Sequence, residues 1–407
     1  MASTSCNDLA EQLLACCLNG ERWSNDLLDQ LITPACSDSL FRVVVERLAD
    51  LFEPRLCDAY ADLFSEVIAR AIPQLRPAEL RVRYDRVRWP RTFQGDPDRI
   101  ENVFVLSRVT LGADAAITSV MLDAARRRFP RARLTLVGSQ KSWELFAASR
   151  QIEHAPVSYR RAGSLRDRLA SWHDLKKLLS ASGSLVIDPD SRLTQLGLLP
   201  VCPEENYYFF ESRAWEAQSS DALPQLASRW AGRTFGVEDA APWVAPEATE
   251  SIKIPGRPLV TMSLGVGDNP AKRIADPFEA ELVEHLARHA HVLIDEGSGG
   301  EEAERVARAV AKSGAPPKHV HTCRGSFAAF ASAIARSDLY VGYDSAGQHI
   351  AAACGIPLVS IFAGFPSARF LSRWRPWGKG KIEVIPVSDG RLALELCLEA
   401  LKRLGTR

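Results

Sequence analysis

Three short segments carry the residues whose types and spacing can do chemistry. The first is Leu339-Tyr-Val-Gly-Tyr-Asp344-Ser345-Ala346-Gly347-Gln-His349, continuing through Gly355 and Pro357 to Phe362: an apolar strand, a polar elbow, a short helix and a second strand. Such a strand delivers Asp344 and Ser345 to its carboxyl end, where a helix begins with backbone N–H groups that have no partner in the chain. Phosphate is the natural guest of that arrangement. The second segment, Ser263-Leu-Gly265-Val-Gly267-Asp-Asn-Pro-Ala-Lys272-Arg273, directly follows the apolar run 259–264. Its glycines let a ligand approach the backbone and Lys272 can neutralise a phosphate. The Gly-Lys-Ser/Thr ending of a P-loop is missing. In the third, Phe104-Val-Leu-Ser-Arg108-Val-Thr-Leu-Gly112-Ala113-Asp114, a strand ends, Gly112 turns the chain and Asp114 stands at the mouth of a helix. There a carboxylate either caps the helix or faces a ligand.

The elements that must position these residues alternate between strand and helix. Strands are predicted at 103–107, 134–138 and 185–188, with helices at 114–128, 142–148 and 165–179. After a stretch rich in Pro, Ala and Glu, strands follow at 259–264, 292–295, 339–342 and 358–362, with helices at 277–290, 301–312, 327–335 and 347–354. This alternation marks parallel sheets. Residues 1–95 instead read as an all-helical N-terminal extension; Leu56, Tyr60, Leu63, Phe64, Val67 and Ile68 form an apolar stripe after Pro54. The expected domains are therefore 1–95, an acceptor-side Rossmann-like unit over 96–245, a linker over 246–257, a nucleotide-sugar-binding Rossmann-like unit over 258–390 and a C-terminal helix over 391–407.

Taken together, the strand-Gly-Ala-Asp-helix element at 103–130, the Gly-x-Gly loop ending in Lys272, and Asp344-Ser345-x-x-x-His349 with Pro357 beyond it resemble the bacterial heptosyltransferase family, glycosyltransferase family 9, over about 100–385. The resemblance implies an α/β GT-B fold, two Rossmann-like doubly wound domains facing a cleft. It further implies an inverting, metal-independent transferase that moves a sugar, heptose among the candidates, from a nucleotide-diphosphate donor, ADP-linked in the family, to a hydroxyl of a cell-envelope glycan or other acceptor. It makes Asp114 the general base and gives the donor to Lys272, Gly265, Gly267, Glu302, Gly325, Asp344, Ser345, Ala346, Gly347 and His349, with Glu301 as the other candidate for the ribose contact. The chain departs from the family pattern at Ala346, where glycine is usual, at Gly267 and Ile274, and by one extra residue in Gly112-Ala113-Asp114. A nucleotide-sugar epimerase of the same fold, or a non-catalytic nucleotide-sugar-binding or scaffold protein, are the alternatives.

Composition fits this reading. The 407 residues carry equal numbers of basic and acidic side chains, 50 each, yet residues 81–180 hold 20 basic and 10 acidic. That block can attract an anionic partner. Its basic amphipathic stretch 159–179 could rest on anionic lipid or pack on the sheet. Aromatic residues interleaved with basic ones for nucleic acid are absent. The nine cysteines are odd in number, without Cys-x-x-Cys spacing, which predicts a reducing compartment and no zinc site. With no signal-like leader and no apolar run of membrane length, a cytoplasmic protein is expected, with a peripheral place at the inner face of the cytoplasmic membrane as the second expectation. Expected partners are the nucleotide sugar, a glycan, lipid-linked or protein acceptor, and a protein docked on residues 1–95; no cofactor is called for. Asp188-Pro-Asp190 reads as a strand end rather than a metal site, and His285 with His289 as a solvated helix face rather than a zinc pair.

Overall fold

The structure, a computed structural model, describes residues 5–160, 163–247, 252–253, 255–267, 269–297 and 299–405. Its seven predicted strands all form, and they are the interior strands of two parallel sheets. In the first, β1 (Asn102–Leu106), β2 (Arg133–Gly138), β3 (Glu153–Pro156), β4 (Ser184–Asp188) and β5 (Tyr207–Phe209) lie in the order β3-β2-β1-β4-β5. In the second, β6 (Leu259–Ser263), β7 (His291–Asp295), β8 (Val320–Cys323), β9 (Leu339–Tyr343), β10 (Leu358–Ala363) and β11 (Ile382–Val387) lie in the order β11-β10-β9-β6-β7-β8. The four strands absent from the sequence reading, β3, β5, β8 and β11, are the four sheet edges. Interior parallel strands are buried on both faces and read as apolar runs, whereas Glu-His-Ala-Pro or Val-His-Thr-Cys at an edge does not.

Each order reverses at one point, between β1 and β4 and between β6 and β9, and ligands bind outside the carboxyl ends of strands at such a point. The register places Ser263 opposite Gly342 and Asp295, so the loops after β6, β7 and β9 leave the sheet side by side.

The N-terminal helices are part of the first domain. Along β1, side chains alternate between faces: Val103 and Val105 pack with Val120, Met121 and Trp230, while Phe104 and Leu106 share a core with Leu56, Tyr60, Phe64 and Val67. Helices Pro54–Ala71 and Pro77–Val87, each begun by proline at its first turn, thus cover one face of the sheet. A buried side chain of this size contributes roughly 1.5–3 kcal/mol, so the layer is integral rather than an appendage. The helix expected at 165–179 joins the same core in two pieces, Leu165–Leu169 and Trp172–Leu179; Leu165, Leu169, Trp172, Leu175 and Leu179 are all buried, which removes the apolar face a lipid surface would need. Only Gln140–Trp143 is helical where 142–148 was expected.

Two further readings change. Cys6 and Cys36 form a disulfide that ties helix Cys6–Asn19 to the residue before the short helix Ser37–Ser39, leaving seven free cysteines where nine thiols were expected. The linker expected over 246–257 includes residues 248–251 and 254, which lie outside the described residues; before them, Trp243 and Val244 pack on the first domain's core. The C-terminal helix, Ala393–Leu404, buries Cys397, Ala400 and Leu401 against the second sheet. Among the described residues, no helix is long and apolar enough to cross a membrane.

Candidate functional site

The carboxyl ends of both sheets face one cavity of about 1260 Å³, which adjoins a second of about 820 Å³ lined in part by the same residues.

On the second domain the loops after β6 and β9 meet. Asn269 caps a short turn, Pro270–Lys272, and the Lys272 ammonium sits 2.6 Å from Asp344 Oδ2 and 3.3 Å from the Asp344 carbonyl oxygen. The other Asp344 oxygen accepts from Gln348 Nε2 at 2.6 Å, and Gln348 accepts in turn from Ser360. Helix Ala346–Cys354 opens beside them. Ser345 is its cap by position but makes no capping bond, and its buried hydroxyl, close to the Tyr340 phenol, has no hydrogen bond of good geometry. This is a helix N-terminus beside a cavity, with a cation at 2.6 Å from its preceding carboxylate and a buried serine hydroxyl beneath it. His349, one turn along, is almost wholly buried, and the loss of water pulls its pKa down to about 4 against the pull of Asp344. It is neutral at ordinary pH, with its ring 6.0 Å from that of Trp374.

Two glycines have clear reasons. A Cβ on Gly347 would run into the Tyr340 phenol, so the glycine in this elbow supports the packing beneath the helix rather than lining the cavity, whereas Ala346 lines it. A Cβ on Gly297 would meet the Glu302 carboxylate, as would one on Gly265. The two candidates Glu301 and Glu302 differ in placement: Glu301 is exposed, and Glu302 lines the cavity with its pKa raised by burial. Asp295, at the end of β7, is pushed up to about 6 by burial and accepts from Gly297 N–H at 3.0 Å. Gly265 and Gly267 also line the cavity. Gly325 does not; it is exposed on the loop after β8, and Phe327 reaches the cavity instead.

The first domain presents a different picture. Asp114 is completely buried; one oxygen accepts from Arg108 N–H and Thr118 Oγ1, both at 2.7 Å, and the other from Ser107 Oγ at 2.7 Å. The cavity is lined at this turn by Gly112 and Ala113. The reason is local: residues 114–118 form a π-helical turn, wider by one residue than an α-turn, which absorbs the extra residue of Gly112-Ala113-Asp114 and rotates Asp114 inward. The carboxylate expected as the base therefore anchors the strand end, and burial raises its pKa. Gly112 lets this turn press on the second domain, where a Cβ would lie 3.3 Å from Ala346 Cα and from His349 Cδ2.

Around it runs a network of buried ions. Arg213 Nε meets Glu211 at 2.9 Å and Asp190 at 3.2 Å; Arg108 donates to Pro189 O at 2.9 Å and Ser212 Oγ at 2.7 Å and lies 3.7 Å from Asp190. Tyr84 donates to Glu211, and the Arg213 guanidinium lies 5.1 Å from the centre of the Tyr60 ring, so the N-terminal layer closes the network. Asp188 accepts from Thr194, Tyr207 and Ser191 N–H, which makes it the strand-end anchor expected, and burial lifts its pKa to about 6. Among the described residues no three His, Cys, Asp or Glu side chains are grouped to hold a metal. The residues that sequence reasoning missed are Glu46, Arg47 and Asp50, which line the cavity from the N-terminal layer, with Tyr159 and Arg192. No local signal marks them, because the sheet brings them there across more than fifty residues of chain.

Residues 207–388 match the family model of glycosyltransferase family 9 (heptosyltransferase). No match to a curated protein is found. Solved structures similar to this chain include a family 9 glycosyl transferase from Veillonella parvula DSM 2008, at 17% identity and a TM-score of 0.55 over 75% of this chain and 97% of that one. E. coli heptosyltransferase WaaC with ADP aligns at 13% identity and a TM-score of 0.53 over 75% of this chain and all (100%) of that one. E. coli ADP-heptose lps heptosyltransferase II gives 16% identity and a TM-score of 0.50 over 74% and 98%. The GT-B fold is thereby borne out, as is the resemblance read from the three segments, and with it the reading as an enzyme of the glycosyltransferase class.

Proposed function

From a chain whose residues 207–388 match the family model of glycosyltransferase family 9, we propose an inverting transferase that takes a nucleotide-diphosphate sugar, ADP-linked and of the heptose class, and needs no catalytic metal. The observation that carries the reading is the Lys272 ammonium at 2.6 Å from Asp344, beside the unpartnered Ser345 hydroxyl and the start of helix Ala346–Cys354, at the reversal point of the second sheet.

Displacement at an anomeric carbon leaves a diphosphate with added negative charge. A cation and aligned N–H groups fixed at that place stabilise the charge as it develops. Lys272 supplies the cation, Ser345 and the helix start supply donors, and Asp344 holds the ammonium in position until the donor arrives. Glu302, cleared by Gly265 and Gly297, is placed for the ribose hydroxyls. The bound ADP of the WaaC structure supports an adenine nucleotide for the leaving group. Metal independence is supported by two things: Lys272 provides the charge, and Asp188 and Asp190 are both engaged, the first by three donors and the second by Arg213 and Ser212.

The test is a panel of ADP-, UDP- and GDP-linked sugars, including ADP-heptose, assayed for release of nucleoside diphosphate with and without EDTA. The expected outcome is turnover of an ADP-linked sugar unaffected by EDTA and absent in Lys272→Met; turnover lost with EDTA contradicts the metal-free reading.

A further inference from the structure

With Asp114 enclosed, the cleft needs another group to take the acceptor's proton. We propose that Asp50, carried by the N-terminal helical layer, is the catalytic base of the transfer. The inference rests on the glycosyl-transfer reading above.

Asp50 ends helix Glu46–Asp50 and lines both adjoining cavities, at the place where the two domains and the N-terminal layer meet. Its carboxylate has no hydrogen bond or ion pair to another described residue. The other carboxylates of the cleft are bound through at least one oxygen, belong to the second domain or are exposed. Asp344 is held by Lys272 and Gln348, Asp190 by Arg213 and Ser212, Asp188 by Thr194 and Tyr207, and Asp114 by three donors. Asp295 and Glu302 line the cavity from the second domain, and Glu46, one turn before Asp50, also lines it but is exposed, whereas Asp50 is half-buried.

The chain just beyond Asp50 is pinned to the donor domain. Phe52 is buried with φ of 52°, a left-handed conformation that a bulky residue adopts only when its surroundings enforce it. Its carbonyl accepts from Arg369 Nη1 at 2.9 Å, and its ring meets Trp374 edge-on at 6.5 Å. Trp374 in turn lies against His349. The segment that carries Asp50 is thus positioned by the same helix, Ala368–Trp374, that flanks the donor pocket.

The charges around Asp50 suit a base. Burial pushes its pKa up to about 6; Arg192 and Lys272 pull down, Glu46 and Asp344 push up, and the surrounding walls add Arg47, Arg108, Tyr159, Asp190 and Arg213. That Lys272 and Asp344 act on it places it within electrostatic reach of the leaving-group site. A carboxylate of this pKa is ionised at neutral pH and still accepts a proton readily. In the step itself, the acceptor hydroxyl gives its proton to Asp50 while its oxygen bonds to the anomeric carbon. The bond from that carbon to the donor phosphate breaks, and the electron pair leaves with the nucleoside diphosphate at Lys272. The Asp50 proton then passes to water.

The test uses the full chain, ADP-heptose and a heptose-deficient lipopolysaccharide core as acceptor, with the other nucleotide sugars as a panel. Asp50→Asn is expected to lower kcat by about 10²–10⁴-fold while calorimetric ADP affinity stays within twofold and the melting temperature holds. The acidic limb of the pH–rate profile, near pH 6 in the parent, should vanish with it, and Asp50→Glu should recover part of the rate. Asp50→Asn with kcat within threefold of the parent, or an acidic limb that it leaves in place, overturns the assignment and leaves the transferase reading standing. A parent that releases no diphosphate from any donor overturns both.

Discussion

The two faces of the cleft handle charge in opposite ways. On the proposed donor face the polar groups are held lightly: Lys272 has one carboxylate partner, the Ser345 hydroxyl has no hydrogen bond of good geometry, and helix Ala346–Cys354 opens without a side-chain cap. On the acceptor face, Asp114, Asp188, Asp190, Glu211, Arg108 and Arg213 are buried and tied to several partners each. The loops they hold are strained, with Val109, Asp190, Gln195 and Leu196 all at positive φ. On the proposed reading the donor face is completed by a ligand's charges, whereas most charged groups of the acceptor face are already paired and fix a shape, Asp190 Oδ1 and the Gln195 amide being buried there without a partner. From the N-terminal layer, Asp50 adds a carboxylate to that side that lines both cavities.

Substitutions should separate the two faces by what they damage. The largest effect is expected at Arg213. Arg213→Met leaves Glu211 and Asp190 buried without their cation, and breaking such a pair costs about 3–5 kcal/mol, read as a lower urea midpoint; a change below about 1 kcal/mol would show the network to be dispensable.

Next comes Asp114→Ala, which strands three donors and should cost about 1–3 kcal/mol, with ADP affinity unchanged. If this variant stays as stable as the parent, the anchoring role fails.

A smaller effect concerns pH. The Asp188 pKa is raised to about 6, so between its unfolded value and about pH 6 the folded chain binds more protons than the unfolded one at this site. Its contribution to stability is therefore greatest at low pH and declines as pH rises through that window. In Asp188→Asn the urea midpoint should fall less between pH 4.5 and 6.5 than in the parent; an unchanged slope would contradict it.

Smallest is Glu302→Gln on the donor face, expected to weaken ADP by up to about tenfold, roughly 1.4 kcal/mol, with no loss of stability. Equal ADP affinity would move the ribose contact elsewhere.

The same contrast explains what the sequence made legible. The proposed donor-face residues sit within a few positions of a strand end, and strand, elbow and helix each leave a local pattern; that pattern placed Lys272 and Asp344 beside the cavity, where burial sets Glu302 apart from Glu301. Asp114 was found too, but its orientation depended on where one extra residue goes, and a π-turn took it up. The wall formed by Glu46, Arg47 and Asp50 was invisible because helix periodicity shows that an apolar stripe exists without saying what it covers. The stripe from Leu56 to Ile68 covers Phe104 and Leu106, which turns an apparent extension into the missing layer of a domain. Likewise the edge strands β3 and β8, partly exposed, carry no apolar run, β5 is only three residues long, and nothing in the spacing of nine cysteines singles out Cys6 and Cys36.

The central claim is that the second domain's strand-end elbow holds the donor diphosphate through Lys272. Calorimetric titration of ADP into the full chain and into Lys272→Met tests it most directly. The account predicts saturable binding by the parent and a loss of at least tenfold in the variant, with both chains equally folded; equal affinity in the two, or no binding by the parent, would contradict it.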